Sequence, residues 1–344
     1  MKILITGNMG YVGSVLTNYL KSNLKNSQLC GLDTGYFAHN NTSSNFLPEI
    51  NLDKQYFFDI RNIPDNLLDG IDSIIHLSAL SNDPIGQKFN RVTKKINVDA
   101  SIDLFNLAVK KNIKNFVFAS SCSVYGQSKN KFVNESSFVE PLTAYARSKV
   151  EFENYIISKS NNIKVTSLRF ATACGASDRL RLDLVLNDFV VSAIKNKKIE
   201  ILSRGDQWRP FIDVEDMARA IHWAVVRKNG NKKLIVNAGS NKLNLKIKDL
   251  ALNIKKIIKN VDVKTNKNAP ADNRSYAVNF DLFKKLAPKF QPKNSLKKIF
   301  LNLIKNINNL NTDKNFRKSD LVRLQMLENH ITKKRLDKNL FWKF

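Results

Sequence analysis

Short apolar runs alternate along the chain with longer segments in which apolar residues recur every three or four positions. Six runs have the length and composition of buried strands: Ile3–Ile5, Gln28–Leu32, Tyr56–Phe58, Ser73–Leu77, Phe116–Ser120 and Val165–Phe170. Helical spacing occurs between them, at Val12–Leu20, Phe89–Lys111 and Pro141–Ile157. This alternation predicts an α/β fold, a doubly wound parallel sheet of Rossmann-like type that binds ligands at the carboxyl ends of its strands.

Three glycines separate the first predicted strand from the first predicted helix. Gly7 can adopt the positive φ of a tight turn, Gly10 leaves space for a pyrophosphate, and Gly13 lets the helix pack closely on its strand. The first helical turn, at Tyr11 and Val12, offers free N–H groups to phosphates. A glycine trio alone is equally typical of a flexible turn, but its position between a strand and a helix favours a dinucleotide site.

Carboxylates follow the second and third predicted strands. Asp33 comes about 20 residues after the last glycine, where a carboxylate binds the hydroxyls of the adenosine ribose. Because this anion would repel the 2′-phosphate of NADP, the pattern predicts NAD. Asp59, followed by Ile60, is placed either to accept from the adenine amino group or to cap a helix. Residues at the end of the fourth strand and directly after it are expected to let the backbone approach the same ligand: Leu77, Ser78 and Ala79.

Ser121, Tyr145 and Lys149 carry the candidate chemistry. Tyr145 and Lys149 are four residues apart in a predicted helix and therefore share one face. A free phenol has a pKa of about 10, so it acts as a base near neutral pH only where a fixed cation stabilises the phenolate. Lys149 can supply that charge, and Ser121 can hydrogen-bond the substrate oxygen that loses its proton. The Tyr-x-x-x-Lys spacing alone is common on helix surfaces, but here it follows a dinucleotide-binding half.

The first 175 residues resemble the extended short-chain dehydrogenase/reductase family, specifically its NAD-dependent nucleotide-sugar epimerases and dehydratases. The resemblance rests on Gly7, Gly10, Gly13, Asp33, Asp59–Arg61, His76–Ala79, Asn97, Ser121–Gly126, Tyr145, Lys149 and Leu168–Phe170. It implies that the tyrosine is the base, that the lysine holds the tyrosine and the nicotinamide ribose, and that Ser121 orients the sugar hydroxyl. It also implies NAD as cofactor, Asn97 as a cofactor-site residue and a nucleotide sugar as substrate.

Substrate-binding residues are expected after the sixth strand. Thr172 stands where many members of the resembled family have an asparagine that contacts the substrate phosphate. Arg209 and Arg274 resemble the family's phosphate-binding arginines; Asp272 and Asn273 precede the latter. Arg181, with Arg179, is placed either to bind a diphosphate or to lie on a solvated face of a helical segment that ends at Ile194. A helix is expected to begin at Asp216.

The composition and the distribution of charge exclude some classes of partner. The 344-residue chain has a formal net charge of +26, but its first 150 residues hold 16 basic and 12 acidic side chains, so most of the excess lies later. Lysines dispersed among asparagines are typical of a solvated face, with an anionic partner as the alternative, and we expect no nucleic-acid partner.

No run reaches the roughly 20 apolar residues that a membrane span needs. We therefore expect no membrane insertion, a cytoplasmic location and, from three scattered cysteines, reduced thiols and no metal site.

The C-terminal region carries two apolar stripes that need a partner surface, either the substrate lobe or a second subunit. The stripes consist of Leu296, Phe300, Leu303 and Ile304, and of Leu321, Leu324 and Leu327. We expect residues 1–175 to form the NAD-binding domain. Residues 176–344 are expected to form a smaller mixed α/β substrate lobe with C-terminal helices, the chain crossing back around 210–240. A homodimer is the expected assembly.

The resemblance to this family, taken with the residues of this chain, implies an NAD-dependent nucleotide-sugar epimerase that works through a transient 4-keto sugar. Dehydratases of the resembled family need an Asp-Glu pair directly after the Ser/Thr, whereas this chain has Cys122 and Ser123, which cannot serve as that acid and base. A 4-dehydrogenase that releases the keto sugar is the enzymatic alternative. A non-catalytic NAD-binding regulator is an alternative of another class, and the intact Ser121, Tyr145 and Lys149 argue against it.

Overall fold

Seven parallel strands form the central sheet of the protein, whose structure is a computed structural model. It describes residues 1–42, 46–128, 132–159, 162–228, 230–266, 274–308, 310 and 314–343. The twelve strands of the described residues, seven of which form the central sheet, are β1 (Lys2–Thr6), β2 (Gln28–Asp33), β3 (Lys54–Phe57), β4 (Ser73–His76), β5 (Asn115–Ser121), β6 (Lys164–Phe170), β7 (Thr172–Cys174), β8 (Lys198–Ile201), β9 (Trp208–Asp213), β10 (Lys233–Ala238), β11 (Asn244–Lys246) and β12 (Asp262–Thr265). The central sheet has the order β3-β2-β1-β4-β5-β6-β10, which confirms the predicted fold class.

Helices cover both faces of this sheet. They are α1 (Tyr11–Asn23), α2 (Asp83–Lys88), α3 (Asn90–Lys94), α4 (Ala100–Lys110), α5 (Ala144–Ser158), α6 (Val185–Lys195), α7 (Val214–Val226), α8 (Ile247–Ile257), α9 (Asp281–Leu286), α10 (Leu296–Asn308) and α11 (Arg323–Thr332). Helices α1 and α7 pack together on one face, and α4 and α5 pack on the other. The central strands are therefore buried on both sides, which explains their continuous apolar runs.

The strand order reverses between β1 and β4. Ile5 in β1 pairs with Gly31 in β2 on one side and with Ile75 in β4 on the other, and all of these pairs are parallel. The loops that follow β1 and β4 leave the sheet in opposite directions and open a crevice between them. This crevice, at the carboxyl ends of the strands, positions the candidate site.

The predicted helix Phe89–Lys111 is present as a continuous helical run from Asn90 to Lys110, in which a π-helical turn at Lys95–Asp99 joins α3 to α4. Two other predicted helix boundaries were wrong. Pro141 lies before α5, since Thr143 is the N-cap and its Oγ1 accepts from the Ala146 N–H at 3.1 Å. At α7 the cap is Asp213 and not Asp216, because Asp213 Oδ1 accepts from the Glu215 N–H at 3.0 Å.

Two small sheets build the second lobe. Strand β9 pairs in parallel with β7 and antiparallel with β11, while β8 pairs in parallel with β12. The core beneath them includes Leu186 of α6, Phe211 of β9 and Leu250 of α8. Arg179 and Arg181 precede the helix on which they were predicted to lie, because α6 begins only at Val185. In the chain between β9 and β11, helix α7 and strand β10 return to the central sheet.

The two C-terminal stripes pack on different lobes. Phe300 and Leu303 of α10 lie in the core of the second lobe, which is one of the two surfaces predicted for this stripe. The second stripe does not pack there as a unit. Leu321 precedes α11 and contacts the second lobe, whereas Leu324 and Leu327 pack against the central sheet on its α4 side, together with the buried Leu336 and Leu340. No helix in the described part of the chain is long and apolar enough to cross a membrane.

Candidate active site

A cleft of about 1200 Å³ lies at the carboxyl ends of the central strands, between the two lobes. It brings together all but one of the site residues expected from the sequence. Those that line it are Gly7, Gly10, Tyr11, Val12, Gly13, Asp33, Asp59, Ile60, Leu77, Ser78, Ala79, Ser121, Tyr145, Lys149, Thr172, Arg181, Arg209 and Arg274.

The glycine turn after β1 forms a cradle that side chains would fill. Gly7 has φ +77°, and a Cβ there would lie 2.8 Å from the backbone nitrogen of Ser78. A Cβ on Gly13 would lie 2.4 Å from the Gly7 carbonyl oxygen, so the helix could not approach the turn as it does. Gly10 is the N-cap of α1, and the first N–H groups of this helix face the cleft. The cradle therefore fits the diphosphate of a dinucleotide.

Asp33 is held at the end of β2 by the turn itself. Its carboxylate accepts from the Met9 N–H at 3.1 Å and from the Gly35 N–H at 2.8 Å. Burial raises the pKa of Asp33, and these two backbone hydrogen bonds act in the opposite direction. A carboxylate fixed in this position can accept from ribose hydroxyls, which fits the adenosine half of NAD.

Asp59 lines the cleft and does not cap a helix. Its carboxylate accepts from Arg61 through the backbone N–H at 2.9 Å and through the guanidinium, the shorter contact being 2.5 Å. Its acceptance from the adenine amino group stays a prediction. Asn97 is the expected residue that does not line the cleft. It is buried behind the cleft wall, where its side chain accepts from the Leu80 N–H at 2.9 Å and donates to Ser148 Oγ at 3.1 Å. Asn97 therefore fixes the loop after β4.

Ser121, Tyr145 and Lys149 converge at the carboxyl end of β5. Ser121 ends the strand and caps the following 3₁₀ turn by accepting from the Ser123 N–H at 3.1 Å. Tyr145, in the first turn of α5, makes a side-chain hydrogen bond with Ser121. Lys149, one turn further on, is buried, and its Nζ donates to the Ala119 carbonyl at 2.8 Å and lies 5.5 Å from the centre of the Tyr145 ring.

The cation expected to stabilise the Tyr145 phenolate was Lys149, and the electrostatics of the site differ from that expectation. Burial raises the pKa of Tyr145 to about 12, while the hydrogen bond with Ser121 and then the positive charge of Arg181 lower it. Burial lowers the pKa of Lys149 to about 7, against the attraction of the Glu153 carboxylate. Lys149 is thus a desolvated amine bonded to a carbonyl, and Arg181 is the strongest cationic influence on the phenol in this structure.

All three arginines expected to bind substrate line the cleft. Arg181 is buried and donates to both oxygens of Asp183, at 3.0 and 2.8 Å, and to Ser81 Oγ at 2.9 Å. It does not lie on a solvated face, which removes that alternative. Arg209 lies over the Tyr276 ring, with its guanidinium carbon 5.2 Å from the ring centre.

Arg274 and Thr172 complete the substrate side. Arg274 forms an ion pair with Asp83 of α2 and so bridges the cleft between the lobes. Thr172 begins β7 on the cleft wall. Asp272 and Asn273, which precede Arg274, lie outside the described residues.

Two arginines of the cleft were not identified from the sequence. Arg317 and Arg323 lie more than 130 residues after Arg181, yet both line the cleft. No local sequence signal identifies them. Arg317 precedes α11 and Arg323 begins it, and the apolar stripe of this helix does not indicate which surface it covers. The buried thiol of Cys122, by contrast, donates to the Arg169 carbonyl at 3.1 Å, and burial raises its pKa.

Comparisons with known proteins agree with this geometry. Residues 3–239 match the model of a family described as the NAD dependent epimerase/dehydratase family. The chain is 30% identical over 234 residues to an uncharacterized UDP-glucose epimerase, YtcB, of Bacillus subtilis, covering 64% of this chain and 71% of that one. It is 27% identical over 262 residues to a dTDP-D-glucose 4,6-dehydratase of Dictyostelium discoideum, covering 70% and 58%.

The fold is similar to that of solved enzymes. The structure of a UDP-glucuronic acid 4-epimerase from Bacillus cereus in complex with NAD aligns with a TM-score of 0.78 at 24% identity, covering 90% of this chain and 97% of that one.

Proposed function

Because this chain belongs to the NAD-dependent epimerase/dehydratase family, as its motifs predicted, and is therefore an NAD-dependent enzyme, we propose that it epimerises a nucleotide sugar through a transient 4-keto sugar. The observation that carries this proposal is the Ser121–Tyr145 pair in the glycine-lined cleft, followed by Cys122 and Ser123 instead of two acids. The thiol of Cys122 is buried and bonded to a backbone carbonyl, so it cannot exchange protons with carbons 5 and 6 of a sugar.

The proposed base is Tyr145, with Ser121 as its partner. NAD held by the glycine turn and Asp33 would supply the site that accepts and returns the hydride of carbon 4. The single hydroxyl proton of Ser121 is proposed to be donated to the sugar oxygen once substrate is bound, which orients the sugar hydroxyl. In the substrate-free protein the hydrogen bond between Ser121 and the phenol lowers the pKa of Tyr145. Arg181 stabilises the same negative charge from the opposite lobe. Lys149 is proposed to position the nicotinamide ribose and to regain its proton when that negative charge develops beside it.

The remaining cleft residues are proposed to divide between the cofactor and the nucleotide. The glycine turn, Asp33 and the loop after β4 hold NAD, while Arg209 and Arg274 bind the phosphates of the nucleotide sugar and Thr172 contacts the sugar side. Residues 1–175, with α7 and β10, are the proposed NAD-binding part, and the second lobe is the substrate part. A homodimer stays a prediction.

Product analysis tests the reaction. UDP-, GDP-, CDP- and dTDP-sugars are incubated with the enzyme, and the sugar isomers and free NADH are measured; UDP-sugars come first because a relative at 30% identity is named as a UDP-glucose epimerase. An epimerase yields an isomeric sugar without net NADH. Stoichiometric NADH would establish the 4-dehydrogenase alternative, and a 4-keto-6-deoxy product would establish a dehydratase.

Tyr145→Phe tests the base. The phenylalanine keeps the ring but removes the ionisable oxygen, so turnover is expected to fall by at least ~10²-fold while NAD binding persists. Tyr155→Phe is the matched control, because Tyr155 lies on the same helix and bonds Asn106 outside the cleft. Parent-level turnover by a folded Tyr145→Phe enzyme would contradict the assignment.

A further inference from the structure

Arg323, the first residue of α11, is a buried cation with unused hydrogen-bonding capacity in the wall of the cleft. Its side chain is 3% exposed, and its guanidinium stacks 4.3 Å above the Phe37 ring. Nη2 donates to the Arg179 carbonyl at 2.8 Å. Nη1 has no hydrogen-bond partner among the residues that the structure describes. A buried N–H group of a charged side chain without an acceptor is costly, so the position calls for an anion.

The surrounding charges do not satisfy Arg323. Two other arginines lie close to it, Arg179 and Arg181, and each already has its own carboxylate. Arg179 pairs with Glu49 at 3.1 Å, and Arg181 pairs with Asp183 at 2.8 Å. Burial and then the charge of Arg181 lower the pKa of Arg323 to about 9, while Asp183 and Asp33 act in the opposite direction. Three cations therefore share a desolvated wall, and an anionic ligand would relieve their repulsion.

The place of Arg323 along the cleft identifies the anion. Its guanidinium stacks on Phe37, in the loop that follows β2 at the proposed ribose end of the cofactor. Its Nη2 donates to the Arg179 carbonyl, and the Arg179 N–H donates to Ser177 Oγ at 3.1 Å. Ser177 in turn donates to the Tyr11 carbonyl at 2.8 Å, in the first turn of α1 beside the glycine cradle. The diphosphate of a dinucleotide lies between the ribose end and this cradle. We propose that Arg323 binds the diphosphate of NAD, so that α11 completes the cofactor site from the far end of the chain. The inference rests on the proposed placement of NAD in this cleft and not on the fate of the sugar.

The C-terminal segment is tied to the same wall of the cleft. His330 Nε2 lies 2.9 Å from the Tyr36 carbonyl oxygen, Trp342 Nε1 donates to the Thr34 carbonyl at 2.6 Å, and the Tyr36 hydroxyl donates to the Leu340 carbonyl. Thr34 and Tyr36 both line the cleft. These contacts fix α11 to the loop after β2, so Arg323 is positioned by several independent hydrogen bonds.

Ligand truncation tests the assignment in the full-length chain. NAD-depleted Arg323→Gln protein is titrated by calorimetry with NAD, ADP-ribose and adenosine. Loss of a charge-assisted hydrogen bond is expected to weaken binding of NAD and ADP-ribose by roughly tenfold or more, because both carry the diphosphate. Adenosine, which lacks it, should bind as to the parent. Arg335→Gln is the matched control, since it removes an exposed arginine from the same segment.

Each outcome of these titrations has a meaning. An equal loss for adenosine would overturn the proposal in favour of a structural role, and unchanged binding of all three ligands would exclude a contact. If Arg323→Gln does not fold, Arg323→Lys decides with the same ligands, because it keeps the charge but not the planar guanidinium. Because ADP-ribose binding needs no sugar substrate, this result stands whether or not the enzyme proves to be an epimerase.

Discussion

Lys149→Met should stabilise the NAD-free protein, although it removes a residue that we place in the active site. Lys149 is 4% exposed, and its pKa in the folded protein is about 7, compared with 10.5 for the unperturbed side chain. Between these two values the unfolded chain holds a proton that the folded protein does not. The free energy of unfolding therefore rises with pH across this window, and the lysine is most destabilising at its lower end and below.

The size of the effect follows from the same two pKa values. Keeping Lys149 in the folded state costs about 4 kcal/mol at pH 7, and this cost falls by about 2 kcal/mol at pH 9. Methionine keeps the length of the side chain but loses the hydrogen bond to the Ala119 carbonyl, which is worth about 1 kcal/mol. The variant should therefore exceed the parent by about 3 kcal/mol at pH 7 and by about 1 kcal/mol at pH 9.

Urea unfolding of both NAD-free proteins at pH 7, 8 and 9 measures this difference. Lys256→Met is the control, because Lys256 is exposed on α8 and should leave the pH dependence unchanged. Parallel pH profiles for parent and Lys149→Met, or a less stable variant at pH 7, would refute the reasoning. The same variant should bind NAD more weakly, so a gain in stability with a loss of cofactor affinity would show that the lysine is kept for the chemistry.

Two further predictions concern the cofactor cradle and the C-terminal segment. Gly13→Ala should abolish retention of NAD through purification and lower the stability of the protein, because its Cβ would lie 2.4 Å from the Gly7 carbonyl oxygen. Gly86→Ala is the control and should change neither property, since its Cβ would meet only ordinary contacts at 3.5 Å. NAD retention by Gly13→Ala would contradict the assignment of the glycine turn as the diphosphate site. A chain ending at Arg335 loses the buried Leu336 and Leu340, so its urea midpoint should fall by the equivalent of roughly 3 kcal/mol or more, and an unchanged midpoint would show that this segment is dispensable.

The local features of the fold could be predicted from the sequence because each is encoded within a few residues. The apolar run of β1, the glycines after it and the acid that ends β2 specify strand, turn and helix through backbone conformation and burial on both faces. Tyr145 and Lys149 share a helix face because their spacing matches one turn. For such features, an error amounts to a shifted boundary, as at Thr143 and Asp213.

Only the tertiary structure decided which surfaces meet. An apolar stripe predicts that one face of a helix is buried, but it does not predict which surface buries it. Helices α10 and α11 carry similar stripes and yet pack on different lobes. The burial of Lys149, which sets its pKa, depends on the sheet and helices around it, and Asn97 proved to hold a loop behind the cleft. Arg323 reaches the cleft through contacts with residues about 300 positions earlier in the chain, because packing energy depends on distance in space and not on separation in sequence.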